Sequence, residues 1–144
     1  MKFTCSVSSE SKICFLENEE EVIVSVKRSD KEQRISLRKE TILFCSGDRG
    51  VFFSDGYELF YACNGCAKCV YKASYKIYEL IYIAGMLFIV DENILVSINN
   101  NGESVWQYWH YEPIDRMIAK DNYIEFIDEN NSSFRISIEN GSLQ

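Results

Sequence analysis

The chain of 144 residues contains one proline and one histidine. A single proline leaves few forced interruptions in β-strands. Because His110 is the only histidine, any Ser-His-Asp or Cys-His mechanism would need this residue as its base. The sequence also lacks a Gly-rich phosphate loop, paired catalytic acids and a complete His/Cys metal signature. We therefore expect a protein that is not an enzyme, has no catalytic residues and holds no cofactor.

Long hydrophobic runs are also absent. The longest, residues 80–90, spans 11 residues and includes Gly85, whereas a membrane helix needs about 20. Residues 2–9 lack the apolar region of a signal peptide. Six cysteines without such a signal favour reduced thiols. The expectation is a cytoplasmic protein without a membrane partner.

Basic residues are scarce in the second half of the chain. Residues 1–72 hold 11 Lys and Arg against 11 Asp and Glu, whereas residues 73–144 hold 4 against 11. The whole formal charge of −7 therefore lies in the second half. Such a surface repels nucleic-acid phosphates and suits a basic protein partner. An acidic surface kept for solubility explains the same charge equally well.

Apolar residues recur mainly at period two or in short β-branched and aromatic runs. Residues 22–26 (VIVSV) and 123–127 (YIEFI) are examples, and no stretch carries an apolar stripe at helical spacing. The apolar fraction of 47% and the aromatic fraction of 14% are typical of folded globular chains. These features predict one all-β domain over residues 1–144.

A repeat of about 36 residues runs through the sequence. A small residue stands between apolar neighbours four times, at spacings of 37, 35 and 40: Ser25, Ala62, Ser97 and Ser137. An acidic turn residue recurs at Asp55, Asp91 and Asp128, and hairpin-turn chemistry explains these acids better than calcium binding. Each copy is interpreted as four short strands. In the second copy they are residues 41–45, 50–54, 57–63 and 66–72. In the third copy they are residues 78–84, 86–90, 94–98 and 103–109.

Residues 88–106 carry an apolar strand, an acidic turn, an alternating strand, a Gly turn and a Trp-bearing outer strand. This order resembles a blade of the quinoprotein-like or WD-type β-propellers, although the Gly-His and Trp-Asp signature is absent. The resemblance implies about four antiparallel repeats that form a half or partial propeller. An antiparallel β-sandwich or barrel is the alternative fold.

Cys63, Cys66 and Cys69 form the most conspicuous cluster. Thiolates with two residues between them can hold zinc, and Cys45 could supply a fourth ligand. The intervening Asn64-Gly65, however, is the favoured type I′ hairpin turn, which would make Cys63 and Cys66 a cross-strand pair. We prefer the hairpin and expect no metal.

The aromatic strand 105–111 is the candidate binding surface. Strand alternation places Trp106, Tyr108 and His110 on one face and Val105, Gln107, Trp109 and Tyr111 on the other. Trp and Tyr are frequent in binding hot spots, although a strand buried on both faces fits the pattern equally well. The predicted partner contacts are Glu103, Trp106, Tyr108, Trp109, His110 and Tyr111, with the acids Asp91, Glu92, Asp115, Asp128 and Glu129.

The leading functional hypothesis is a stoichiometric protein-binding module. In its small size, acidity and lack of a catalytic constellation, the chain resembles bacterial immunity proteins that neutralise a basic toxin such as a nuclease. The resemblance implies a basic toxin as partner. A scaffold module of a larger complex is the alternative, and a cysteine-based metal protein is the third hypothesis.

Overall fold

The computed structural model describes residues 2–6 as backbone and residues 11–40 and 42–144 in full. The first half of the described chain forms strands β1 (Lys2–Ser6), β2 (Ser11–Glu17), β3 (Glu21–Arg28), β4 (Lys31–Arg38), β5 (Leu43–Ser46), β6 (Val51–Ser54), β7 (Glu58–Cys63) and β8 (Cys66–Lys72). The second half forms β9 (Ile81–Ile83), β10 (Met86–Asp91), β11 (Ile94–Ile98), β12 (Ser104–Trp109), β13 (Ile114–Ala119), β14 (Tyr123–Asp128) and β15 (Ser133–Ser137). No helix of the described residues is long and apolar enough to cross a membrane.

The strands form four antiparallel sheets, one for each predicted copy of the repeat. The first two have the orders β1-β2-β3-β4 and β5-β6-β7-β8, and the last two have β12-β11-β10-β9 and β13-β14-β15. In the fourth copy a single bridge between Ile136 and Leu143 stands where the other copies have a full outer strand. The all-β, propeller-like repeat fold is thereby confirmed.

The chain separates into two compact units, residues 1–73 and 74–144, with two sheets in each. The prediction of a single domain stays a prediction. In the first unit, the alternating residues of β2 and β3 supply Ile13, Phe15, Val24 and Val26 to a buried cluster. The Phe15 ring meets the edge of Phe53 at 5.9 Å, which joins the first two sheets.

The second unit has its own core around Phe88, Leu95, Ile124 and Phe126, which are all fully buried. Burial of one such side chain contributes about 1.5–3 kcal/mol to folding. Trp106 of β12 packs on this cluster, and its Nε1 donates a hydrogen bond to the Ile138 carbonyl at 3.0 Å. The last two sheets are therefore packed together through their own apolar residues.

A similar side-chain hydrogen-bond pattern closes a turn in the first, second and fourth copies. The Oδ1 atoms of Asp55 and Asp128 each accept two backbone N–H bonds from residues two to four positions further on, all at 3.0 Å. Asn18, which lies 37 residues before Asp55, does the same for Glu20 and Glu21 at 2.9 Å. These bonds satisfy turn amides that would otherwise lack partners, so Asp55 and Asp128 act in their turns as the sequence predicted, whereas Asp91 accepts from the amides of Ser74 and Tyr75.

Candidate functional site

The outer strand β12 presents two different faces. Val105 is 49% exposed, Trp109 66% and Tyr111 72%, whereas His110 is buried and Trp106 and Tyr108 are half-buried. The predicted alternation is therefore correct. Because β12 lies at the edge of its sheet, Trp109 and the adjacent Tyr111 give the second unit an exposed aromatic surface.

His110 lies at the centre of a closed hydrogen-bonded network. Its Nε2 is 3.0 Å from Asp128 Oδ2, and its Nδ1 is 3.2 Å from the Tyr108 hydroxyl. The tautomer that satisfies both contacts donates from Nε2 to the carboxylate and accepts at Nδ1 from Tyr108. The rings of Phe126 and Phe134 meet the imidazole edge-to-face at 4.9 and 4.6 Å.

The same network fixes the protonation state of Asp128. The hydrogen bond from His110, with the backbone N–H bonds of Ser132 and Asn130, holds the pKa of the Asp128 carboxyl below its usual value. Burial raises the pKa of Tyr108, which makes that phenol a poor nucleophile. The arrangement stabilises the second unit and leaves neither nitrogen of His110 open to a substrate.

Asp91 connects two segments of the second unit. Its Oδ2 accepts the Ser74 N–H at 2.9 Å, and its Oδ1 accepts the Tyr75 N–H at 2.8 Å. Three of the predicted partner contacts, Asp91, His110 and Asp128, are 1–3% exposed and bonded internally. A buried side chain offers no area to a partner, so these three do not lie on the predicted binding surface in this structure.

A groove of about 260 Å³ lies within the second unit and collects three other predicted contacts, Glu92, Asp115 and Glu129. The remaining described lining residues are Tyr75, Lys76, Tyr78, Glu79, Val90, Pro113, Ile114, Arg116 and Met117. Of the predicted contacts, Glu103 and the residues of 106–111 lie outside this lining.

Backbone bonds hold the walls of the groove in place. Ile114 N donates to the Glu92 carbonyl at 2.7 Å, and Glu129 N donates to the Pro113 carbonyl at 3.0 Å. Asp91 fixes the opposite wall, because the two amides that it binds begin the segment carrying Tyr75 and Lys76. The groove is thus built by segments that follow four different strands, β8, β10, β12 and β14.

The groove is acidic and aromatic. Four carboxylates, from Glu79, Glu92, Asp115 and Glu129, face two cations, from Lys76 and Arg116. Lys76 Nζ lies 5.6 Å from the centre of the Tyr78 ring, so part of its charge is already engaged with that ring. Tyr75 is 56% exposed and Tyr78 is 75% exposed. The groove therefore offers net negative charge beside two flat, amphipathic rings.

The sequence interpretation missed Tyr75, Tyr78 and Arg116 as site residues. Residues 78–84 were predicted as one strand, but β9 comprises only Ile81–Ile83. Residues 75–80 instead form the irregular wall of the groove, anchored by the fully buried Ile77. The exposure of Tyr75 and Tyr78 and the burial of Ile77 cannot be read from the sequence, so no sequence signal indicated this segment.

The cysteine cluster is a hairpin. Cys63 and Cys66 are direct cross-strand partners, and Asn64 and Gly65 have φ of 54° and 74°, as a type I′ turn requires. Cys69 pairs with Phe60 further along β8, and burial raises the pKa of its thiol. Among the described residues no group of three or more His, Cys, Asp or Glu side chains could hold a metal ion.

The fold has clear counterparts among solved β-propellers. A chain of the S. cerevisiae complex of Dbp5 bound to Nup159 and Gle1 is similar with a TM-score of 0.61 and 13% identity, over 92% of this chain and 39% of that chain. The WD40 domain of Toxoplasma gondii coronin is similar with a TM-score of 0.60 and 8% identity, over 90% of this chain and 40% of that chain. BamB from Moraxella catarrhalis is similar with a TM-score of 0.58 and 11% identity, over 98% of this chain and 46% of that chain.

These comparisons define the class of protein: a propeller-like array of antiparallel β-blades. The chain spans about two-fifths of the length of the first two of these structures. At such low identities the likeness shows the fold alone. No protein-family model and no curated protein sequence matches the chain.

Proposed function

We propose that the chain is a protein-binding module and that the groove of the second unit receives a basic segment of the partner. The observation that carries the proposal is the meeting of four carboxylates and two exposed tyrosines in one concave site of about 260 Å³. Opposite charges across an interface speed encounter and fix register, and tyrosine rings bind cations and apolar stems together. An arginine or lysine side chain satisfies both features.

A binding role also fits the chemistry of the groove better than catalysis does. The described residues that line it include no histidine, cysteine or serine. The nearby His110 is buried and uses both ring nitrogens in internal contacts. The Ser-His or Cys-His pair of nucleophilic catalysis is therefore missing from the described lining.

The experiment is a fluorescence anisotropy titration with short labelled peptides that are basic, neutral or acidic. A triple variant, E92Q/D115N/E129Q, should weaken binding of the basic peptide by about 0.6–3 kcal/mol, or about 3- to 150-fold, if each carboxylate contributes about 0.2–1 kcal/mol. The matched control E103Q/D121N/E139Q removes three exposed acids outside the groove and should change affinity little.

Equal loss of affinity in both variants would mean that net charge alone attracts the peptide, and the groove would not be the site. Equal binding of the acidic and basic peptides would overturn the proposal altogether. Added salt should weaken the native interaction, because the contributing charges lie on an exposed rim.

A more specific version makes the partner a toxin nuclease and the chain its immunity protein. The net charge of −7 in the second half supports it, since nuclease active sites are basic. The test is inhibition: a stoichiometric amount of the chain should abolish the activity of the nuclease that it binds. Tight binding with no loss of any partner activity would favour the scaffold alternative instead.

A further inference from the structure

We propose that Cys63 and Cys66 form a reversible dithiol–disulfide site at the tip of the β7–β8 hairpin. The site lies in the first unit and is independent of the groove and of the proposed function. The two residues are direct cross-strand partners, so their side chains leave the same face of the sheet. Both thiols are free in the structure.

The backbone separation matches what a disulfide needs. Directly opposed residues of an antiparallel pair have Cα atoms about 4.5–5.5 Å apart, inside the range of about 4.4–6.8 Å seen in disulfides. The Cβ atoms of such a pair lie about 4.5–5.5 Å apart, against about 3.8 Å in a relaxed disulfide. Closure therefore needs a small local twist, which makes the bond easily reduced.

Contacts with the neighbouring sheet hold the backbone of the hairpin in place. Gly65 packs directly on the Arg28 side chain, where a Cβ would come within 2.2 Å of Arg28 Cβ. Arg28 Nη1 also donates to the Asn64 carbonyl at 3.1 Å. On the following strand, Gln33 forms two hydrogen bonds of 2.8 Å with the backbone of Ala67. The turn and the start of β8 are thus fixed on both sides of Cys66.

The two sulfurs differ in exposure, as thiol–disulfide exchange requires: the attacking thiol is exposed and the second thiol is less so. Cys66 is exposed, whereas Cys63 is half-buried and contacts the Arg49 carbonyl through its Sγ at 3.3 Å. The Cys66 thiolate attacks a small-molecule disulfide such as oxidised glutathione and releases one glutathione thiolate. The Cys63 thiolate then attacks Cys66 Sγ, releases the second glutathione thiolate and closes the bond. The two protons lost by the protein thiols go to the two glutathione thiolates. The protein dithiol is thereby oxidised to a disulfide, and oxidised glutathione is reduced to two thiols.

The strand pairing places residues of other types opposite Cys14, Cys45 and Cys69. Cys14 pairs with Ser25, Cys45 with Phe52, and Cys69 with Phe60. Cys69 is therefore the matched control, because it lies on the same strand as Cys66 without an opposed thiol.

The experiment incubates the full chain with oxidised and reduced glutathione at a series of ratios, traps the thiols by acid and alkylation, and maps the peptides by mass spectrometry. We expect a Cys63–Cys66 link with a mass lower by two hydrogens, removed again by excess reduced glutathione. C69S should form the same link. C63S should instead retain a glutathione adduct on Cys66.

The proposal is overturned if the native chain accumulates a glutathione adduct on Cys66 while Cys63 stays reduced, or if the link requires Cys69. Circular dichroism of each variant shows whether it is folded. If C63S does not fold, C63A provides the second test: it should retain the glutathione adduct on Cys66, and an unmodified Cys66 in that variant would overturn the assignment.

Discussion

Removal of the Asp91 carboxylate should destabilise the second unit and loosen one wall of the groove. In D91A the Ser74 and Tyr75 amides lose the acceptors that now lie at 2.9 and 2.8 Å. Hydrogen bonds to a charged group contribute about 1.5–3 kcal/mol each. Water can reach these two donors because their residues are exposed, so the low end applies and the expected loss is about 3 kcal/mol in total.

Tryptophan fluorescence during urea unfolding measures this loss in the relevant unit, because both tryptophans lie in residues 74–144. The half-buried Trp106 reports the opening of the core beneath it. D115A is the matched control, since Asp115 is exposed and its loss should change the free energy of unfolding by less than about 0.5 kcal/mol. A D91A protein as stable as D115A would refute the reasoning.

Two further variants test the packing and the charge network of the second unit. G141A should lower the free energy of unfolding by about 1–2 kcal/mol in the same urea assay and shift the Trp106 emission. Gly141 has a φ of 71°, and a new Cβ would come within 2.5 Å of the Trp106 ring. Unchanged emission and stability would contradict this contact. The lowered pKa of Asp128 contributes stability that is present above the unfolded-state pKa and is lost as the pH falls through the folded-state pKa. Acid titration should therefore show a steeper loss of stability for the native chain than for D128N, and parallel curves would contradict this.

The fold could be predicted from the sequence because its signals are local. Alternation in 22–26 and 123–127 indicated strands, and Asn64-Gly65 indicated the hairpin that β7 and β8 form. The first copy of the turn motif was missed because Asn18 stands where the other copies have aspartate. An amide oxygen accepts the same backbone N–H bonds as a carboxylate, so the chemistry recurs although the residue type changes.

The site could be predicted only in part. Glu92, Asp115 and Glu129 were expected at a partner surface from their charge, and all three line the groove. Asp91 and Asp128 carry the same charge and precede similar turns, yet they are buried acceptors of internal bonds. Sequence pattern does not separate these cases, because burial depends on which distant amides, such as those of residues 74 and 75, approach the carboxylate.

Nuclear magnetic resonance mapping of a bound basic peptide tests the central proposal most directly. The amides of residues 75–79, 92, 114–117 and 129 should shift on titration, and at the same peptide concentration the shifts should be smaller in E92Q/D115N/E129Q. Shifts confined to residues 105–111 would place binding on the exposed face of β12, and shifts confined to residues 1–73 would place it outside the second unit. Either result would contradict the assignment of the groove as the binding site.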